Sequence, residues 1–289
     1  STFSASSRIS RIVVGQADSA IRQTQVSTAI TKESVDLLPL GRTPFGIASI
    51  APGLTTNTPN AGQLSIAGGF GYDNAFLVDG TDVNDNIFGT ADDLFIEDAI
   101  AEVQVLTGGI SAEYGRFSGG VVNVVSKSGG NTFSGTFREN WTNPTWQGRT
   151  PFEKTNDTPR TEKLNKVHEG TFGGPILRDR LWFFTAGRFQ RTADDDTFPQ
   201  TGIPYAFRSE NTRGQIKLTA TAAGSHTVSG QYLVSQSRVV TPAFSFTIDP
   251  AAIMRPEYPL SQFVVNYRGT LGSRVFAELQ YSTKRSGFR

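Results

Sequence analysis

From Phe133 onward the chain alternates in polarity: Ile216, Leu218 and Ala220 fall on one side of an extended segment, and Arg213, Gln215, Lys217 and Thr219 on the other. Successive side chains of a strand point to opposite faces, so a period of two rules out helix and requires a sheet with one apolar and one polar face. Phe263, Val265, Tyr267 and Leu271 oppose Gln262, Asn266, Arg268 and Thr270 in the same way. So do Val275, Ala277, Leu279 and Tyr281 against Arg274, Glu278, Gln280 and Ser282. Strands are expected near 132–141, 164–174, 180–191, 208–221, 226–237, 259–270 and 275–287. Each is close to the roughly 9–11 residues with which a strand crosses a bilayer.

The connections separate a membrane barrel from a soluble β-sandwich, whose strands also alternate. Long links ("TNPTWQGRTPFEKTNDTPRTE", "TADDDTFPQTGIPYAF", "SRVVTPAFSFTIDPAAIMRPEY") take turns with short ones ("GGPILRDR", "AAGSH", "LGSR"). Outer-membrane barrels keep short turns on the periplasmic side and long loops outside, whereas a sandwich has no reason to hold that rhythm through three hairpins.

Composition agrees with a barrel and excludes other classes. Lys and Arg number 27 against 26 Asp and Glu, which argues against nucleic acid as a partner. Apolar residues make up 37% and no run approaches the roughly 20 residues of a spanning helix. There is no cysteine, and the two histidines, His168 and His226, lie far apart, so neither thiolate chemistry nor a His-rich metal site is expected. The chain opens at Ser1 with neither Met nor an apolar leader, from which a processed or cut N-terminus is expected.

Up to about Asn131 the texture is mixed. Thr31 and Ser34 before "VDLLPL" announce a short helix, and "PFGIASIAPGL" a second, with Pro44 near its start and Pro52-Gly53 stopping it. "NAFLVDG" reads as an apolar strand closed by an Asp-Gly turn, "IEDAIAEVQVL" as a helical turn running into a strand, and "GGVVNVVSKSGGN" as a buried strand between glycine hinges.

In order and spacing, "LLPLGRTPFGIASIAPGL", "NAFLVDGTDVND" and "IAEVQVLTGGISAEYGRFSGGVVNVVSKSGGN" resemble the plug domain of TonB-dependent outer-membrane transporters. "FGGPILRDRLWFF", taken with "SAEYGRFSGGVVNVVSKSGG", looks most like the Oar-like branch. The resemblance implies an α+β plug domain followed by antiparallel transmembrane β-barrel strands, a partial barrel: 1–25 as an N-terminal extension or linker, 26–131 as plug, 132–289 as the first barrel strands. The family's plug sits in a barrel of about 22 strands, which would enclose the Val121 strand on all sides. Seven strands cannot close such a wall, so a longer polypeptide, or other chains, is expected to complete it at an edge near Val275–Ser282.

What the resemblance implies about function is an importer in the bacterial outer membrane. It binds an external substrate, is driven by a TonB-type energising protein on the periplasmic side, and has outer-membrane lipid and the remaining barrel polypeptide as further partners. A structural or adhesive barrel, and a soluble carbohydrate-binding sandwich with an α+β domain, are the competing readings. Two departures stand out: Ala67 in "LSIAG" and Thr107-Gly108-Gly109 replace arginine-bearing patterns of the family, leaving Glu113 and Arg116 as plug–barrel contacts or as ordinary solvated charges. Ile12, Val13 and Val14 in "RIVVGQ" are either a TonB box, captured by strand addition, or a linker strand.

The segments after "APGL" and "VDG" would face the external mouth, which makes Asn57, Asn60, Gln63, Asn84, Asp85 and Asn86 expected ligand contacts, with Phe88 an apolar platform. Their alternative is plain turn chemistry. The spacing of Asp79, Asp82 and Asp85 does not fit an EF-hand loop, so no metal or other cofactor is assigned, and no catalytic constellation stands out.

Overall fold

The computed structural model describes residues 3–16, 26–37, 42–58, 63–85, 90–111, 114–115, 117–155, 160, 162–198, 201, 203–222, 226–242, 250–271 and 275–289. The Val121 run explains the first domain. Val121–Ser126 (β8) lies between Ala75–Val78 (β5), to which it runs parallel, and Ile100–Gly108 (β7), antiparallel to it. Strands Val26–Thr31 (β2) and Thr81–Asp82 (β6) complete a five-stranded sheet of order β2-β7-β8-β5-β6.

β8 is apolar-packed on one face and at the start of the other, with Asn123 and Val125 half-buried. Val122 and Val124 join Ile47, Val103 and Val105 in the main core, while Val121 packs with Ala75, Leu77 and Leu106 under Ile110, Tyr114 and Phe117. The second face is thus covered at Val121 by the domain's own chain, while Asn123 and Val125 look across a cleft to wall residues such as Lys217, Asn266 and Gln280. Gly120 marks the strand's entry: a Cβ there would meet Ile66 Cγ2 at 2.3 Å and the Leu106 carbonyl at 2.7 Å. Only a bare α-carbon fits.

Two short helices cover this sheet. Lys32–Asp36 (α1) starts after Thr31, and Pro44–Ala48 (α2) has Thr43 Oγ1 accepting from the Gly46 N–H at 3.1 Å with Pro44 in its first turn. A two-stranded ribbon, Leu54–Thr55 (β3) with Ser65–Ile66 (β4), follows. "DGTD" makes the expected tight turn, with Asp79 at φ 47° and Gly80 at φ 78°.

The second part is one large antiparallel sheet. Its strands are Ser134–Thr142 (β9), Asn165–Leu177 (β10), Leu181–Thr197 (β11), Pro204–Ala222 (β12), His226–Pro242 (β13), Ile253–Met254 (β14), Glu257–Leu271 (β15) and Val275–Phe288 (β16). A short helix, Pro151–Thr155 (α3), sits in the first long link. Strands stand at all seven expected places, but β11, β12 and β13 run to 17, 19 and 17 residues. At about 3.3 Å per residue these exceed what a bilayer needs. The extra length lies at the ends that carry the long links, so two of those loops are partly strand.

The faces sort as the alternation requires: Ile216 and Leu218 are exposed, while Arg213, Gln215 and Lys217 are buried against the first domain. The buried face is the polar one and the exposed face the apolar one, the reverse of a sandwich, whose sheets pack through apolar faces.

One expectation fails. The edge of β16 is not open within this chain: Phe3–Gln16 (β1) pairs with it antiparallel, from Phe3 opposite Phe288 to Gln16 opposite Val275. The sheet order is β1-β16-β15-β13-β12-β11-β10-β9, with β14 on β13, and it does not close on itself. Unpaired strand groups are costly, and the N-terminal strand satisfies one row of them. Ile12, Val13 and Val14 accordingly sit opposite Leu279, Glu278 and Ala277.

Candidate functional site

The small domain docks on the inner face of the large sheet through ion pairs, and through Ile96 and Ala99 packed with Phe184 and Ala186. At its centre is the Asp79–Gly80 turn. The Asp79 carboxylate accepts from the Ser126 N–H at 3.0 Å and from Ser126 Oγ at 2.6 Å. Lys217 reaches in from β12, its Nζ 3.4 Å from Asp79 Oδ1, 3.0 Å from Ser126 Oγ and 3.2 Å from the Ser126 carbonyl. Two wall glutamines hold the turn's backbone: Gln280 Nε2 donates to the Asp79 carbonyl at 2.8 Å and Gln262 Nε2 to that of Val78 at 3.2 Å. A Cβ on Gly80 would meet Gln280 Nε2 at 2.9 Å.

A second set of contacts comes from "ADDLFIEDA", residues 91–99. Lys284 donates to Asp92 Oδ2 at 2.7 Å and to the Asn84 carbonyl at 2.6 Å. Arg213 donates to the Phe95 carbonyl at 2.9 Å, pairs with Asp93 at 2.9 Å, and lies over the Phe95 ring at 4.6 Å. Arg188 Nε is 2.8 Å from Glu97 Oε2, an ion pair whose angles are not those of a hydrogen bond, so both atoms also count as buried polar groups without a hydrogen-bond partner. Arg138 bridges Asp98 at 3.2 Å and Glu169 at 2.9 Å, and Glu169 also accepts from the Asp98 N–H.

Burial pushes the Asp92 carboxyl above its ordinary value against the pull of Lys284, and raises Glu97 against Arg188 and Arg213. Acids on the small domain thus meet cations on the wall across most of the interface. Such pairs recover little net energy after desolvation, yet breaking one strands a buried charge.

Between the Asp79 turn and the wall a polar cleft of about 370 Å³ remains, lined among others by Gln104, Asn123, Asn266, Arg268 and Glu278.

The expected ligand contacts separate. Asn84 is an internal clamp: its Oδ1 accepts from the Phe76 N–H at 2.6 Å and its Nδ2 donates to the Asn74 carbonyl at 2.7 Å. Gln63 is buried, its side chain filling the place a Cβ on Gly71 would take, 2.8 Å from Gln63 Cβ. Asn57 is exposed, its N–H on Thr55 Oγ1 at 3.1 Å, and Asp85 is half-buried with its N–H on the Thr90 carbonyl at 2.8 Å. Asp82 Oδ1 caps the Asn84 N–H at 2.8 Å, ordinary turn chemistry. Asn60, Asn86 and Phe88, and the contact pair Glu113 and Arg116, lie outside the described residues. The docking groups Asp92, Asp93, Glu97 and Asp98 are not among the residues that the sequence motifs single out. The available signal was four carboxylates in seven residues, matched by Arg213 and Lys217 on the polar face of an alternating strand.

A family model described as the TonB-dependent receptor plug domain matches residues 19–122, and one described as an outer membrane beta barrel domain matches 125–210. Those two matches make the chain a receptor plug domain followed by part of an outer membrane beta barrel. It is 40% identical over 143 residues to the TonB-dependent transporter Oar of Myxococcus xanthus, covering 48% of this chain and 13% of that protein. The fold resembles the siderophore receptor PirA of Acinetobacter baumannii, with a TM-score of 0.68, 21% identity, and 93% of this chain on 41% of that one. It also resembles the outer membrane transporter YddB of Escherichia coli, with a TM-score of 0.65, 17% identity, and 85% of this chain on 37% of that one. The small domain is thus the receptor plug and the large sheet part of the outer-membrane barrel wall, and the chain spans well under half the length of these relatives. TonB-dependent receptors place the chain in the bacterial outer membrane.

Proposed function

We propose that this chain is the plug and first wall segment of an importer: an external substrate binds above the plug, and force from a TonB-type protein loosens the plug from the wall. The observation that carries the reading is the charge-paired seal between Asp79, Asp92, Asp93, Glu97 and Asp98 on one side and Lys217, Lys284, Arg213, Arg188 and Arg138 on the other. A purely structural barrel would need only the apolar part of this contact, Ile96 and Ala99 on Phe184 and Ala186 with Leu233 in the plug core, since buried ion pairs add little stability. On this reading Asn57 and Asp85, with Asn60, Asn86 and Phe88, form the substrate face, while Gln63 and Asn84 hold its loops. Ile12–Val14 would be the strand the energising protein captures, which requires β1 to leave β16.

The test uses Thr81→Cys in the full-length receptor, because Thr81 is buried in the plug and near-isosteric with cysteine. An impermeant maleimide added to cells should label it when the TonB-type partner is present and the inner membrane energised, and not when either is missing. Equal labelling without the partner would overturn the reading in favour of a static or adhesive barrel.

A further inference from the structure

Below the Asp79 turn the wall carries a row of polar side chains that the plug leaves largely unbonded. In the antiparallel register Thr219 on β12 stands opposite Ser229 on β13, Ser229 opposite Asn266 on β15, and Asn266 opposite Gln280 on β16. All four line the polar cleft of about 370 Å³ between plug and wall. Neighbouring strands lie about 4.8 Å apart, so the row runs about 14 Å across four strands. It sits toward the short connections that follow Ala222 and Leu271, which is the periplasmic end of an outer-membrane barrel. Asn84 and its neighbour Asp85 lie the other way, where Lys284 bonds the Asn84 carbonyl further along β16.

Ser229 and Asn266 hold no side-chain hydrogen bond among the described residues, and Thr219 Oγ1 is buried without a partner. Gln280 spends its Nε2 on the Asp79 carbonyl. The plug side of the cleft is satisfied: Asn123 Oδ1 accepts from the Gly80 N–H at 3.2 Å, and its Nδ2 donates to Gln104 Oε1 at 3.2 Å. The charges of the lining cancel in pairs. Lys217 Nζ is 3.4 Å from Asp79 Oδ1, and Arg268 donates to Glu278 Oε1 at 3.0 and 3.1 Å. Polar groups at a half-buried surface are ordinarily paired, so a wall row left open against a closed plug face points to a ligand.

We infer that Thr219, Ser229, Asn266 and Gln280 form a binding site for a neutral saccharide on the periplasmic side of the plug. Three observations select that class. Hydroxyls and carboxamides each both donate and accept, which suits the repeated hydroxyls of a sugar. The paired charges leave no surplus to hold an anionic metal chelate or a cation. The apolar lining is only Val125 and Tyr114, which gives no pockets for the side chains of a peptide but offers one aromatic face to a sugar ring. The volume falls within the roughly 300–1,000 Å³ of small-ligand sites. The site's role rests on the import reading, as a second stop for a substrate that has passed the plug apex; the binding itself requires no plug movement.

The experiment uses the full-length receptor in a detergent without a sugar headgroup, with maltotriose, cellotriose and isomaltotriose as probes and saturation-transfer NMR as the readout. At least one trisaccharide should bind saturably. In the double variant Ser229→Ala, Asn266→Ala its dissociation constant should rise at least about tenfold, because two hydrogen bonds to the ligand are lost. Thr219→Val, near-isosteric with threonine, should weaken binding in the same direction. Each single variant is titrated as well, so a double variant that fails to assemble still leaves a reading. Binding of none of the three sugars would overturn the proposal, and so would affinities unchanged in the variants, which would put the sugar elsewhere on the receptor. Equal binding of triglycine would overturn the saccharide assignment. No energised partner is present in this measurement, so its failure leaves the cysteine-labelling test of import standing, and a static barrel would still bind the sugar.

Discussion

Lys217 on the barrel wall and Asp79 in the plug turn are 138 residues apart in sequence and 3.4 Å apart in space, with Ser126 bonded to both. The side chains of both are largely buried, so neither charge has water to fall back on. Replacing Lys217 with Met should weaken plug docking by about 3–5 kcal/mol, because it leaves the Asp79 carboxylate buried without its cation. In the full-length receptor this should appear as faster protease cleavage of the plug, with barrel assembly retained. Wild-type cleavage rates would show that the pair is dispensable.

One position further along β12 the consequence reverses. Leu218 faces outward and is exposed, so Leu218→Arg puts a charge into the apolar band at about 2–4 kcal/mol near mid-membrane. Assembly into lipid should fall while the plug, once assembled, stays docked. Equal assembly of the Leu218→Arg and wild-type proteins would contradict the assignment of faces.

Gly120 tests the plug core alone. A methyl group there collides with Ile66 Cγ2 at 2.3 Å and the Leu106 carbonyl at 2.7 Å, and the carbonyl belongs to a paired strand that cannot step aside freely. Gly120→Ala should cost about 1–3 kcal/mol of plug stability. Hydrogen exchange at the amides of β7 and β8 is the direct readout; protection equal to wild type would mean that the strands shift without strain.

Docking should also depend on pH with an unusual sign. Asp92 and Glu97 are raised above their ordinary values of 3.8 and 4.5, chiefly by burial. In the docked state they hold protons more readily than in the released state, so docking is favoured at low pH and weakens as pH rises from those ordinary values through the raised ones. Protease resistance of the plug should therefore decline as pH increases across that range, and Glu97→Gln should flatten the decline. A slope of the opposite sign would rule out both acids as its source, and an unchanged slope in Glu97→Gln would rule out Glu97.

Much of the architecture was legible in the chain because it depends on local chemistry. The period of two in β12, β15 and β16 determines which side chains face outward, since one residue of slip would bury Ile216 and expose Lys217. Thr43 with Pro44, and Asp79 with Gly80, specify a helix start and a tight turn within four residues, and the ordered plug motifs identified the family. Tertiary structure decided what local signals do not encode. Asn84 looks like a loop residue open to ligand, yet its amide bridges Phe76 and Asn74. "ADDLFIEDA" looks like a solvated acidic stretch until the wall brings Lys284, Arg213, Arg188 and Arg138 against it. The strand at Phe3–Gln16 gives no hint in its own residues that it pairs with Val275–Phe288. In each case the partner lies far along the chain or across a domain boundary, and ion pairing and edge pairing depend on distances that only the folded chain sets.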